Sequence, residues 1–294
     1  MKAFETFQGM DTTFWALVKF ASENLGYTKR GKAQVKSYKY DEVKKFCNDN
    51  DIRIPDEQIQ KVCDYSRKRA NILNNCVEKM LMTGDEAHQA FLNYEEVYRN
   101  GYFQCKIPMN KQRGSMKQIA YFTAMINILA EKTIRETTGL EQIGFDDDPR
   151  GLVYLWNRKG CLTGASSRRF DGAFPSIRNP LMVWEIKEYY YATTFGSRVA
   201  DGVYETQLDG YEFNEIYNRT GTKVYHVLFI DAYGTWWKKG KSYLCRIIDI
   251  LNSGIVDEVI VGREIFTRWP ELIKEIIQNQ DRVVSQFDSI EYED

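Results

Sequence analysis

The feature that most constrains this chain is a change of hydrophobic period near Pro149. Upstream, apolar residues recur at helical spacing. Downstream, short apolar runs bounded by turn residues alternate with helical stretches. A chain that switches period in this way is expected to place a mostly helical N-terminal region before an α/β core with a mixed sheet flanked by helices. We place the boundary near residue 112, giving a helical region over 1–112 and a core over 113–294.

The helical half has recognisable punctuation. Thr12 or Thr13 is placed to cap a helix carrying Phe14, Leu17, Val18 and Phe20. Residues 27–40 are basic and aperiodic, and a short helix is expected over 40–48. Pro55, followed by Asp56 and Glu57, starts a helix expected to run to Thr83 and end at Gly84. Further helices are expected over 85–98 and from Gly114-Ser115 to Gly139. After Pro149 the strand candidates are 152–156, 168–174, 181–191, 224–230 and 258–261. Helical spacing returns over 203–219, 242–251 and 270–278, and the acidic tail is expected to fray.

Composition excludes some functions and leaves others open. With 43% hydrophobic and 14% aromatic residues the chain is no disordered protein, and its net charge of −1 gives no global attraction to polyanions. No run reaches the roughly 18 apolar residues of a membrane span. The start, MKAFETFQGM, lacks the apolar stretch of a secretory signal. The six cysteines include no CxxC pair. They read as reduced core thiols in a cytoplasmic protein. Two histidines far apart in sequence, His88 and His226, offer little for histidine-based catalysis or metal ligation. His226 reads as a packed residue and His88 as surface.

The chemistry-bearing stretch is Arg168-Arg169-Phe170-Asp171-Gly172-Ala173-Phe174, a Pro/Asn turn, then Leu181-Met182-Val183-Trp184-Glu185-Ile186-Lys187. Side chains alternate along a strand, so Glu185 and Lys187 share one face and Trp184 and Ile186 the other. A hairpin through 175–180 would return Asp171 beside Glu185. Charges on an apolar strand are costly unless paired or metal-bound. Two carboxylates are hard oxygen ligands for Mg²⁺, with Mn²⁺ able to substitute, and a lysine can offset charge at a phosphate. The plainer reading is a same-face Glu185–Lys187 ion pair on an edge strand, which leaves Asp171 unexplained.

Asp171, thirteen intervening residues, then Glu185-Ile186-Lys187 resembles the acid…(Asp/Glu)-x-Lys signature of PD-(D/E)XK nucleases. The order helix, three strands, helix, strand resembles that family's restriction-endonuclease-like αβββαβ core. The resemblance covers about residues 115–262; Phe170 departs from the nominal proline before the acid. It implies Asp171, Glu185 and Lys187 as catalytic residues and Asp171 and Glu185 as metal ligands. It adds Glu131, on the helix before the strands, as an extra acid. Gln207 and Tyr211 would form a RecB-type Gln-x-x-x-Tyr motif on the helix after them. DNA contacts are assigned to Arg168, Arg169, Arg198, Tyr211 and the N-terminal Lys29, Arg30 and Lys32, since basic and aromatic residues meet phosphates and bases. Arg67-Lys68-Arg69 reads as solvated surface. Asp231, at a strand end, reads as a turn starter more than as a functional acid.

The implied function is a Mg²⁺-dependent deoxyribonuclease, of the restriction or phage-defence kind, with DNA as partner and a twofold dimer if its site is palindromic. Two alternatives stand beside it. One is a nuclease subunit of a larger repair or defence complex, and the other a DNA-binding protein that keeps the fold without turnover.

Overall fold

The period change near Pro149 marks a change of architecture. The computed structural model describes residues 1–29, 34–114, 117–139, 141, 143–190 and 196–279. Four helices open the chain: α1 (Thr12–Leu25), α2 (Tyr40–Asp49), α3 (Asp56–Ile72) and the short α4 (Glu78–Met80). Asp11, not Thr12 or Thr13, caps α1; its carboxylate accepts from the Phe14 N–H at 2.7 Å. Gly84 ends no helix. The third helix loosens through a wide turn at Leu73–Val77 and stops at Met80. Thr83 and Glu86 then form a capping box that starts α5 (Gly84–Asn100).

Helix α6 (Tyr121–Thr138) ends on left-handed Gly139. It begins seven residues after the expected Gly114, because the segment before it pairs with itself: Met109 bridges Ile119, and the Asn110 N–H donates to the Gln118 carbonyl at 2.8 Å. Strand β1 (Tyr154–Trp156) pairs antiparallel with β2 (Leu162–Ala165) as a separate two-stranded sheet. The sequence reading missed β2, which is only four residues long and half-exposed, with no alternation to betray it.

The main sheet has the order β3-β4-β5-β6, from β3 (Gly172–Phe174), β4 (Met182–Glu188), β5 (Tyr225–Asp231) and β6 (Glu258–Val261). β3 is antiparallel to β4; β4, β5 and β6 run parallel. Helix α7 (Ser197–Thr220) crosses from β4 to β5, α8 (Lys241–Asn252) from β5 to β6, and α9 (Arg268–Gln278) closes the chain. Helices α5, α6 and α9 cover one face, where Phe122, Trp184, Phe229 and Trp269 interlock. α7 and α8 cover the other, around Val203, Leu228, Ile230 and Leu244. The protein is therefore mixed α/β. Met82, Ala87 and Phe91 join the α6 core, so the expected boundary near residue 112 falls beyond a helix already built into it. No helix among the described residues is long and apolar enough to cross a membrane. All six cysteines are free. Cys76 and Cys161 are exposed, contrary to the expectation of core thiols throughout.

Candidate active site

Strand β4 carries two kinds of surface. Met182 and Trp184 pack toward α6 and α9, while Val183 packs toward α7 with Phe170 and Phe213. Alternation therefore puts Glu185 and Lys187 on the α7 face, where both are almost fully buried (4% and 6% exposed). Gly172 pairs with Trp184, so Asp171, one residue before β3, lies opposite Glu185. Its N–H donates to the Trp184 carbonyl at 3.1 Å, and its Oδ2 accepts from the Ile186 N–H at 2.7 Å. The carboxylate thus takes over from the backbone ladder where β3 ends. Gly172 is required there: a Cβ would sit 2.1 Å from the Trp184 ring.

Two residues of α7 complete the cluster. Glu185 Oε1 accepts from Lys187 Nζ at 2.5 Å and Arg168 Nη2 at 3.0 Å. Lys187 Nζ also donates to Glu205 Oε2 at 3.0 Å. Arg168 Nη2 lies 3.1 Å from Glu205 Oε2, and its Nη1 donates to Asp209 Oδ2 at 2.8 Å. Gly202 makes room, since a Cβ there would lie 3.2 Å from Lys187 Cε and 2.9 Å from the Tyr189 hydroxyl.

Asp171, Glu185, Glu205 and Asp209 face two cations, Arg168 and Lys187. Burial is the main influence on the proton affinities of Asp171 and Asp209. Burial, then the charge of Glu185, pushes the Asp171 carboxyl up to about 6 against the pull of the Ile186 N–H, Lys187 and Lys111. Burial likewise raises Asp209 to about 7 despite Arg168, and its Oδ1 is buried without a hydrogen-bond partner. Burial alone would lower Lys187; Glu185 foremost among its neighbours outweighs this and holds the ammonium protonated.

The other sequence-derived positions scatter. Glu131 is on α6, which covers the opposite face of the sheet. It is fully buried and accepts from the N–H groups of Gln104 and Cys105 (2.9 and 2.7 Å) and from Arg135. It anchors the chain at 104–105 and does not join the cluster. Gln207 donates to the Tyr211 hydroxyl at 3.0 Å on the outer side of α7. Two residues further along a helix turn a side chain by about 200°, so Glu205 and Asp209 face the sheet and that pair does not. The missed signal was phase: the buried stripe Val199, Val203, Thr206, Gly210 and Phe213 contains Asp209. Arg169, Arg198 and Lys29 are exposed, while Arg30 and Lys32 lie outside the described residues. His226 is buried between Phe170 and Phe213, and burial lowers it to about 3. Asp231 is buried too and accepts from the N–H groups of Met82 and Ala232 and from the Tyr190 hydroxyl.

Among the described residues no three His, Cys, Asp or Glu side chains converge as a ready metal cage. A Mg²⁺ site asks for less, since the ion keeps several waters and takes one or two carboxylates. Asp171 and Glu185 suit it by donor chemistry and by the surplus negative charge around them.

No curated protein and no solved structure matches the chain. Residues 1–76 match the model of a domain of unknown function, DUF7690. Residues 82–276, most of the chain and all of the main sheet, match the model of another domain of unknown function, DUF7687, and the protein belongs to that family.

Proposed function

We propose that the protein is a metal-dependent nuclease on the PD-(D/E)XK plan that hydrolyses phosphodiester bonds in DNA. The observation that carries this reading is the placement of Asp171 opposite Glu185 with Lys187 on the same buried face, in a cluster with more acids than cations. The order α6, strands, α7, β5, with α7 linking parallel neighbours, is compatible with the αβββαβ core that the motif resembles.

A divalent ion bound there would polarise the phosphate and supply a water of lowered pKa. Asp171 and Glu185 would hold it. Asp171 is itself positioned by the Ile186 N–H, so the distance between the two carboxyl groups is set by the sheet. Lys187 keeps its proton, so it serves as a fixed positive charge beside the phosphate rather than as a base. Glu205 and Asp209 position Lys187 and Arg168 from α7. The setting of a restriction or phage-defence enzyme, acting alone or as a subunit, remains part of the proposal.

A second reading is a purely structural ion network in a DNA-binding protein, favoured by Arg168 and Lys187 already occupying Glu185 Oε1. Plasmid cleavage in Mg²⁺ separates the two. The nuclease reading expects cutting that EDTA stops and that Asp171→Asn and Lys187→Met each lower by at least about 10³-fold. Both variants should keep a wild-type circular dichroism spectrum. A wild-type protein that binds duplex DNA yet leaves duplex, single-stranded and RNA substrates intact rejects it.

A further inference from the structure

From Ile107 to Ala130 the sequence contains no Asp or Glu, and its only charged residues are Lys111, Arg113 and Lys117. All three are exposed and have no ion-pair partner among the described residues. Some surface cations elsewhere have an acid within their own element or close by, as Lys44 has Asp56, Lys61 has Glu57, Arg67 has Asp64 and Arg219 has Glu215, whereas this segment contains no acid of its own. Three uncompensated cations on one loop of a chain with net charge −1 form a local positive surface.

The fold ties this loop to the edge of the candidate site. At its start, the Lys106 N–H donates to the Asp147 carboxylate and Lys106 Nζ lies 3.0 Å from Asp148. Next to these, Asp146 pairs with Ala173 on the outer edge of β3, two residues from Asp171 (2.9 and 3.0 Å). At its end the loop enters α6, where the N–H and hydroxyl of Thr123 donate to Glu188 at 3.0 and 2.9 Å, at the last residue of β4. Between these anchors the Met109–Ile119 bridge stiffens the loop, and Asn110 Oδ1 accepts from the N–H groups of Gln112 and Gln118 at 3.2 Å.

We infer that Lys111, Arg113 and Lys117 form a surface that grips the phosphate backbone of duplex DNA beside Asp171. The choice of partner rests on the nuclease reading. A carboxylate cluster repels a phosphodiester, and cations at its rim offset that repulsion while leaving bases unread. None of the three was a candidate from sequence, where the basic stretch at 29–32 drew attention instead.

The test is fluorescence anisotropy of a fluorescein-labelled DNA duplex with the full chain in EDTA, over a series of KCl concentrations. The triple variant K111A/R113A/K117A should bind roughly ten- to hundred-fold more weakly, and its log–log salt slope should fall by roughly two to three, at about 0.9 per phosphate contact. The variant K44A/K61A/R67A loses the same charge elsewhere and should bind like wild type, and both variants should melt as wild type does. Wild-type protein that ignores DNA overturns the inference, and so does a loop variant within twofold of wild type. Equal loss in the two triple variants, or competition by poly-glutamate as effective as by DNA, also overturns it. Mg²⁺ cleavage on the same preparations keeps the two claims apart. Grip without cutting leaves the surface and removes the nuclease, and cutting with an unaffected loop variant does the reverse.

Discussion

Two of the buried ionic clusters among the described residues differ in charge balance. One joins the N-terminal helices to the core. Arg69 on α3 is fully buried, and its Nη1 donates to both oxygens of Asp249 on α8 at 2.8 and 2.9 Å. The Tyr65 hydroxyl adds a bond to Asp249 at 2.5 Å, and Ser22 and Tyr38 accept from Arg69 Nη2 at 3.1 and 3.2 Å. One cation meets one carboxylate, and neutral hydroxyls surround the pair, with Arg69 Nε left without a hydrogen-bond partner. In the other cluster Glu185, Glu205 and Asp209 share Arg168 and Lys187, Asp171 lies beside them on the Ile186 N–H, and Glu205 is 42% exposed. A balanced buried pair sets how two parts dock. An unbalanced one at the surface edge is what the proposed metal site rests on.

The largest test of this contrast is removal of one cation from each. Arg69→Met strands Asp249 in a dry interface and should lower the unfolding free energy by about 3–5 kcal/mol. Lys187→Met leaves Arg168 on Glu185 and should cost under about 2 kcal/mol, both read from urea midpoints. Arg69→Met/Asp249→Leu should regain most of the loss. Equal costs for the two single variants would erase the distinction.

A smaller effect is the pH dependence that the surplus cluster contributes, beside that of buried Glu188 and Asp231, whose carboxyls burial also raises to about 7. Asp209 has a folded-state pKa of about 7 against an ordinary 3.8. Between those values the folded chain holds a proton that the unfolded chain has lost, so stability falls as pH rises through about 4 to 7. Asp209→Asn should lessen that slope by one group's share and be more stable than wild type at pH 8 by about 1–3 kcal/mol. A parallel decline in wild type and variant would remove Asp209 as its source.

The smallest effect is stabilisation by metal. At ten times its dissociation constant, Mg²⁺ should add about 1.4 kcal/mol. This would be read as a rise in melting temperature, absent in Asp171→Asn and retained when the Arg69–Asp249 pair is replaced.

Much of this was legible in the sequence because it depends on local period. The alternation that sets Glu185 and Lys187 on one face, the short turn that returns Asp171 beside them, and all of Glu258–Val261 follow from spacing and turn residues alone. Gly139 as a helix end follows from the same local chemistry, because glycine accepts the left-handed conformation there (φ 72°).

Which face of a helix meets the sheet is a different kind of fact. Gln207/Tyr211 and Glu205/Asp209 have the same spacing on α7, and only the packing against β4 and β5 selects the second pair. Arg69 sits in a run, Arg67-Lys68-Arg69, that looks solvated; its burial depends on Asp249, 180 residues away, arriving opposite it. Glu131 and the cluster on β4 are separated by the sheet itself, which no spacing along the chain records. The sequence by itself determined most of the elements and the Asp171–Glu185–Lys187 set, because those depend on neighbours within a turn or a hairpin. The tertiary structure decided the four-acid cluster, the Arg69–Asp249 joint and the basic loop at the site's rim, because burial and charge balance depend on which distant groups the fold brings together.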